Sequence, residues 1–208
     1  VDGISIDDCE KQLDENISRL RTEIQNRTYW PLPLVRILVE KRNGGTRSLS
    51  IPAVRDRIAQ AAVLNIVEPR FEAEFETCSF AYRKERSVRH AVYTIKEYRD
   101  KGYRFVVDVD IEAFFDHIDH ELLMSKVRRV ISEESILWLM ESWINADIWD
   151  GEKVYCLTEG IPQGSVISPI LANLFLDELD EELLKKGYKL VRYADDFVIL
   201  RKSRPEAE

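Results

Sequence analysis

Cysteine is scarce and never clustered. Cys9, Cys78 and Cys156 are odd in number and form no CxxC pair, which argues against a disulfide framework and a structural zinc site. Buried free thiols are the plainer expectation. Long apolar runs are missing as well, since nothing approaches the ~20 residues that span a bilayer. The N-terminus VDGISIDD also lacks the basic and apolar regions of a signal peptide. A cytoplasmic protein with no membrane partner is therefore expected. There is no internal repeat, no low-complexity tract and no obvious linker. A basic excess is absent too. The net charge is −8, which taken alone argues against a nucleic-acid binder, because phosphate contacts need Lys and Arg.

The distribution of charge qualifies that exclusion. Arg36, Lys41, Arg42, Arg47, Arg55 and Arg57 stand against only Glu40 and Asp56. A second basic patch follows at Arg83, Lys84, Arg86 and Arg89. The acidic excess sits elsewhere, as in DELDEE from Asp177 to Glu182, and such a run on a helix is expected to be a solvated face.

Apolar residues at steps of three and four predict an amphipathic helix over 7–25. Pro31 and Pro33 then lead into a strand candidate at 34–39. Asn43-Gly44-Gly45 signals a turn, and 46–51 returns as a second strand, giving a hairpin with a basic tip. A helix is predicted over 55–67, stopped by Pro69, and another over 87–100 with Gly102 just past its end. Phe105–Asp110 reads as a buried strand ending in a carboxylate. Asp119 should cap a helix through Val130, 136–144 carries a further apolar helical stripe, and 153–157 reads as a short strand. The helix predicted at 168–186 is ended by Gly187. After it come two short strands, 190–193 and 197–200, separated by Ala194-Asp195-Asp196. This order suggests an α+β domain with an antiparallel central sheet.

The strongest constellation is Asp110 at a strand end with Asp195 and Asp196 at a hairpin tip. A charge at the end of an apolar strand is costly unless paired, solvated or bound to a cation. Carboxylates brought together repel one another, and Mg2+ with oxygen ligands at ~2.0–2.1 Å relieves that repulsion. Two such ions ~3.5–4 Å apart would activate a hydroxyl and stabilise a leaving pyrophosphate. The plainer reading is that Asp simply tolerates turn backbones. Two strands by themselves do not show that the acids meet.

Further segments make the sequence recognisable. Tyr193-Ala194-Asp195-Asp196 matches the YADD box of reverse transcriptases, flanked by apolar strands. Residues 160–169, GIPQGSVISP, resemble the GxPQGxxxSP segment of that family. Residues 109–120 resemble its DIxxFFDxIDH block, and 41–57 resemble the KxxGxxRxLxIPxxxDR stretch of group II intron enzymes. Val1-Asp2-Gly3 resembles the family's VDG segment. The resemblance covers almost the whole chain and implies an α+β right-hand polymerase fold. Fingers would occupy 1–85 and a palm 86–208, with an antiparallel palm sheet packed on helices and the thumb absent. The implied activity is RNA-directed DNA polymerase, a nucleotidyl transfer of dNTPs to the 3′-hydroxyl of a DNA or RNA primer on an RNA template.

The same resemblance implies roles for single residues. Asp110, Asp195 and Asp196, with the Ile111 carbonyl, would hold two Mg2+ ions, Mn2+ being the other candidate. Lys41 and Arg47 would grip the incoming triphosphate. Phe115 would lie under the sugar and clash with a 2′-hydroxyl, favouring dNTP over NTP. Gln163 and Gly164 would line the nucleotide and template base, and Tyr193 and Ala194 would lie near the primer end. Arg83, Arg86 and Arg89 would contact the template backbone. His117 and His120 suit packing or surface roles better than zinc. Two positions depart from the pattern: Ser165 stands where many relatives have Gly, and Glu85 falls in a stretch that often carries Gly. Further domains or a fusion partner are expected beyond residue 208. The KxxGxxR and VDG segments lean toward group II and CRISPR-associated enzymes rather than retrons. The rival reading is a maturase-like RNA-binding scaffold with little synthesis. A nucleotide cyclase has no use for the PQG segment or the basic hairpin.

Overall fold

A computed structural model describes residues 3–40 and 44–208. Its helices are α1 (Ile6–Lys11), α2 (Leu13–Gln25), α3 (Val54–Glu74), α4 (Val88–Asp100), α5 (His120–Val130), α6 (Glu134–Ile144), α7 (Ser168–Lys185) and α8 (Arg204–Ala207). Its strands are β1 (Leu34–Glu40), β2 (Thr46–Ile51), β3 (Phe105–Val109), β4 (Ile148–Trp149), β5 (Val154–Tyr155), β6 (Lys189–Tyr193) and β7 (Asp196–Arg201). The chain forms two compact units, Val1–Val67 with Phe115–Ser168 and Glu68–Phe114 with Pro169–Glu208. The expected division at residue 85 follows chain order. The units instead each draw on two separate stretches, because β3 finds its sheet partners about ninety residues downstream.

The first unit holds a four-stranded sheet in the order β2-β1-β4-β5. β1 and β2 are the expected antiparallel hairpin, with Val35 opposite Ile51 and Glu40 opposite Thr46. β4 joins β1 in parallel, so the sheet is mixed. The core of this unit includes a buried polar chain. The Trp143 indole donates to the Tyr29 hydroxyl at 2.9 Å, which donates to Asp56 at 2.6 Å. The Leu32 amide closes the chain on the other Asp56 oxygen. Every member being paired, the network fixes one arrangement without an orphaned polar group.

The predicted helix over 7–25 is broken at Gln12. The Cys9 carbonyl, which a continuous helix would pair with Leu13, is taken by the Gln12 amide and the Asn16 side chain. Such local side-chain bonds compete with helix propagation. The predicted stop at Pro69 fails in the opposite sense, for α3 runs through it to Glu74. Val63, Val67, Phe71 and Phe75 are all buried along one stripe. Burial of a large apolar side chain contributes about 1.5–3 kcal/mol, which over this stripe outweighs the ~3 kcal/mol penalty of an interior proline. Pro69 and Asn65, whose carbonyl loses its partner, are both exposed to solvent.

The second unit is an antiparallel sheet in the order β3-β7-β6 with helices on both faces. On one face Val191 and Leu200 pack with Ala91, Ile95 and Tyr98 of α4. On the other, Leu190, Phe197 and Ile199 meet Leu179, Leu183 and Leu184 of α7. β3 is less buried than the sequence suggested. It is the outer strand, and Val106 remains 52% exposed because its neighbours cover only one side. Cys9 and Cys78 are buried as expected, but Cys156 is exposed and donates its S–H to Asp147 at 2.7 Å. Among the described residues no helix is long and apolar enough to cross a membrane.

Candidate functional site

The carboxylates belong to the second unit, and the sheet register explains how they meet. β3 pairs with β7 so that Val109 lies opposite Phe197, and one step further places Asp110 opposite Asp196. β6 and β7 close as a tight hairpin whose last pair is Tyr193 with Asp196. Ala194 and Asp195 form its tip. Ala194 has φ 60°, the left-handed region that L residues avoid. Burial pushes the Asp196 carboxyl above its ordinary pKa, and the charges of Asp195, Asp110 and Asp108 push it in the same direction. A hydrogen bond between Asp196 and Asp110 adds to this. Asp110 and Asp195 thus lie close enough to Asp196 to disfavour its ionised form.

That crowding fits a hard divalent cation, whose charge removes the repulsion and whose preferred donors are carboxylate and carbonyl oxygens. Among the described residues, no three acidic, His or Cys side chains stand as a finished ligand set. Asp110, Asp195 and Asp196 are the acids that the strand register brings to this end of the sheet. Ile111 follows Asp110 directly, its side chain half-buried against the α7 side of the sheet.

The hairpin is braced from within by residues whose role the sequence reading missed. Arg192 is fully buried. It donates through Nε and Nη2 to the buried Asp180, and through Nη1 to Asn173 Oδ1 and the Ala194 carbonyl. The acidic run from Asp177 to Glu182 is therefore no uniform solvated face, since Asp177 and Asp180 are both buried. Positions 173, 177 and 180 share one helix stripe, and this stripe turns inward. The overlooked signals were that spacing and an Arg set inside the apolar strand KLVRY.

The expected nucleotide contacts Arg47, Phe115, Gln163 and Gly164 lie in the first unit. Phe115 sits half-buried in a 3₁₀ turn, Phe114–His117, and its carbonyl accepts from the Ile161 amide at 2.8 Å. The Gln163 carbonyl accepts from the Ser50 amide at 2.6 Å. A Cβ on Gly160 would stand 2.6 Å from the Asp116 carbonyl oxygen, and one on Gly164 would stand 3.1 Å from that of Ser50. Both glycines thus allow backbone to approach backbone. Gln60 is buried, and its side-chain oxygen accepts from the Ser165 hydroxyl and the Val166 amide, both at 3.0 Å. Ser165, a departure from the family pattern, has thereby acquired a partner of its own. His120 lies between Asn145 Oδ1 and the Gly160 carbonyl, a bracing position rather than a ligand site. Gln163 also lines an open cleft of about 270 Å3 with Arg36, Ser48, Asp116 and Tyr155. Arg47 is exposed on β2 opposite Val39, and Lys41 lies outside the described residues.

The three expected template arginines divide. Arg83 is buried, doubly bonded to Glu72 and donating to the carbonyls of Glu76 and Ser79. Its charge serves the turn that follows α3, because a buried guanidinium must have its donors satisfied. Arg86 is half-buried and donates to the Thr77 and Ser79 carbonyls. Arg89 is exposed on α4. Tyr193 is exposed beside the hairpin tip.

Known proteins with related sequences and folds agree with this architecture. Residues 39–208 match the model of the family described as reverse transcriptase (RNA-dependent DNA polymerase). The protein YkfC of Escherichia coli K12 is 41% identical over 187 residues, covering 88% of this chain and 49% of YkfC. The group II intron-encoded protein LtrA of Lactococcus lactis is 34% identical over 194 residues, covering 91% of this chain and 32% of LtrA. A chain of a partial Cas6-RT-Cas1–Cas2 complex superposes with a TM-score of 0.56 at 30% identity, covering 92% of this chain and 34% of that one. The chain therefore spans half or less of the length of the proteins it matches. On its motifs, its fold and these likenesses, the chain belongs to the reverse transcriptase family.

Proposed function

We propose that this chain carries the fingers and palm of an RNA-directed DNA polymerase that extends a DNA or RNA primer with dNTPs on an RNA template. The first unit is the fingers and the second the palm. The observation that carries this reading is the register of β3, β7 and β6, which gathers Asp110, Asp195 and Asp196 at one end of one sheet. Bound there, Mg2+ or Mn2+ supplies positive charge to the attacking 3′-hydroxyl and the departing pyrophosphate. Asp110 and Asp195 anchor that charge, with Asp196 and the Ile111 carbonyl beside them. Lys41 and Arg47 bind the triphosphate, Phe115 excludes a ribose 2′-hydroxyl, and Gln163 with Gly164 orients the nucleotide against the template base. Tyr193 and Ala194 receive the primer end. Arg89 is the arginine best placed for a template phosphate, Arg83 and Arg86 being held by carbonyls. The work of these residues is positioning and charge stabilisation. The setting is cytoplasmic, as part of a group II intron or CRISPR-associated system.

Primer extension with Mg2+ on an RNA template, with dNTPs or NTPs, by the full-length protein and its Asp195→Ala variant, tests the reading. Template-directed dNTP incorporation that vanishes in the variant supports it. Absence of extension together with tight RNA binding unaffected by Asp195→Ala points instead to an RNA-binding scaffold.

A further inference from the structure

We propose that Arg192 is a positioning residue for the carboxylate hairpin, fixing from inside the second unit the turn that presents Asp195 and Asp196. The inference rests on the polymerase reading above for the identity of the bound ion.

Arg192 is held on every side before it reaches the turn. Its amide donates to the Cys78 carbonyl at 2.8 Å, and its carbonyl accepts from the Phe80 amide at 3.0 Å. Its guanidinium meets Asp180 through Nε at 2.8 and 3.0 Å and through Nη2 at 2.5 Å. Nη1 takes Asn173 Oδ1 at 3.0 Å, and Asn173 is itself fixed by donating to the Ala81 carbonyl at 2.8 Å. The remaining reach of Nη1 ends on the Ala194 carbonyl, also at 3.0 Å. That carbonyl belongs to the peptide plane joining Ala194 to Asp195. Ala194 is left-handed at φ 60°, a conformation that persists only where its surroundings enforce it. The guanidinium fork is the enforcing group.

A buried ion pair is a weak source of net stability, and apolar residues of equal volume often replace one without loss. The pair of Arg192 and Asp180 is therefore better explained by direction than by stability. A planar fork sets two acceptors at fixed angles, which a lysine ammonium does not. Groups that orient metal ligands without touching the metal typically change affinity by ~10–100-fold when altered.

The test is Mn2+ titration of the chain followed by electron paramagnetic resonance, with thermal unfolding recorded on every variant. Wild type should bind Mn2+, and Asp195→Ala should abolish that binding. Arg192→Lys retains the charge opposite Asp180 but loses the fork, and should weaken Mn2+ by roughly tenfold or more. Asn173→Ala leaves the Arg192–Asp180 pair whole but removes one of the two acceptors that aim Nη1, loosening its hold on the Ala194 carbonyl, and should weaken Mn2+ to a smaller degree. A folded Arg192→Lys with wild-type Mn2+ affinity overturns the inference while leaving the polymerase reading intact. Where Arg192→Lys does not fold, Asn173→Ala decides, and unchanged affinity there overturns the inference equally. A wild type with no carboxylate-dependent Mn2+ binding removes both.

Discussion

The carboxylate hairpin of the second unit and the 160–166 loop of the first are both short, irregular and held from behind, yet by different means. Behind the hairpin stands an ionic brace of Arg192 and Asp180, with Asn173 as a neutral strut. Behind the loop stand uncharged amide groups, namely the Gln60 side chain, the Ser50 amide and the Phe115 carbonyl, with the His120 ring set against the Gly160 carbonyl. The loop also depends on the absence of side chains at Gly160 and Gly164. A hairpin that gathers like charges is pulled open by their repulsion, so it needs a directed, charge-assisted restraint. The 160–166 loop carries no such charge, and its need is close approach of backbone to backbone, which Gly160 and Gly164 allow.

Substitutions on each side test this contrast. The largest effect is expected at the acids, where Asp110→Asn should lower nucleotide incorporation by at least ~1,000-fold, the several kcal/mol that bound metal ions supply. Single-turnover extension measures it, and near-normal folding in circular dichroism should accompany the loss. Gly160→Ala should come next. It drives a methyl into the Asp116 backbone at φ +82° and should destabilise the chain by about 2–4 kcal/mol in urea unfolding. Gln60→Ala orphans the Ser165 hydroxyl and the Val166 amide and should cost about 1–3 kcal/mol, read from the same titration. The brace itself should give a pH signature. Asp177 lies in the same buried helix stripe, accepting from the Glu76 amide, and faces Asp180, Glu181 and Arg192. Burial pushes its carboxyl up from 3.8 to about 6. Protonated Asp177 thus suits the folded state, so its stabilising contribution is present at acid pH and is lost as pH rises through about 6. Asp177→Asn should flatten that slope and be the more stable form above pH ~7. Smallest is Glu85→Gly, which relieves a left-handed φ of 62° and should stabilise by ~0.5–1 kcal/mol.

Legibility in the sequence followed the same line. Asp110, Asp195 and Asp196 stood out because charged residues beside apolar strands need a reason, and Asp119 capped α5 as its position suggested, accepting from the Leu122 amide. The hairpin β1–β2 followed from Asn43-Gly44-Gly45 and its flanking β-branched residues. What escaped was decided by long-range contact. Nothing near Pro69 announces that Phe71 and Phe75 are buried enough to carry a helix through it. Asp180 looks like any surface acid until α7 is docked on the sheet, and Gln60 needs a partner more than a hundred residues away. Arg83 and Arg89 are indistinguishable as letters, and only burial separates a guanidinium tied to Glu72 from one facing solvent. Motifs record where chemistry happens, and the groups that steady it are written in no fixed pattern.

β3 has a bearing on how the material behaves in the tube. Among the described residues no strand pairs with its outer edge, although α8 lies close to it, and Phe105 and Val106 keep their side chains exposed there. Open, apolar edges of this kind recruit other chains and seed aggregation. The strand that leads into Asp110 is thus also a surface that favours association between chains. A lysine at Val106, away from the acids, is the simplest gatekeeper for keeping it in solution.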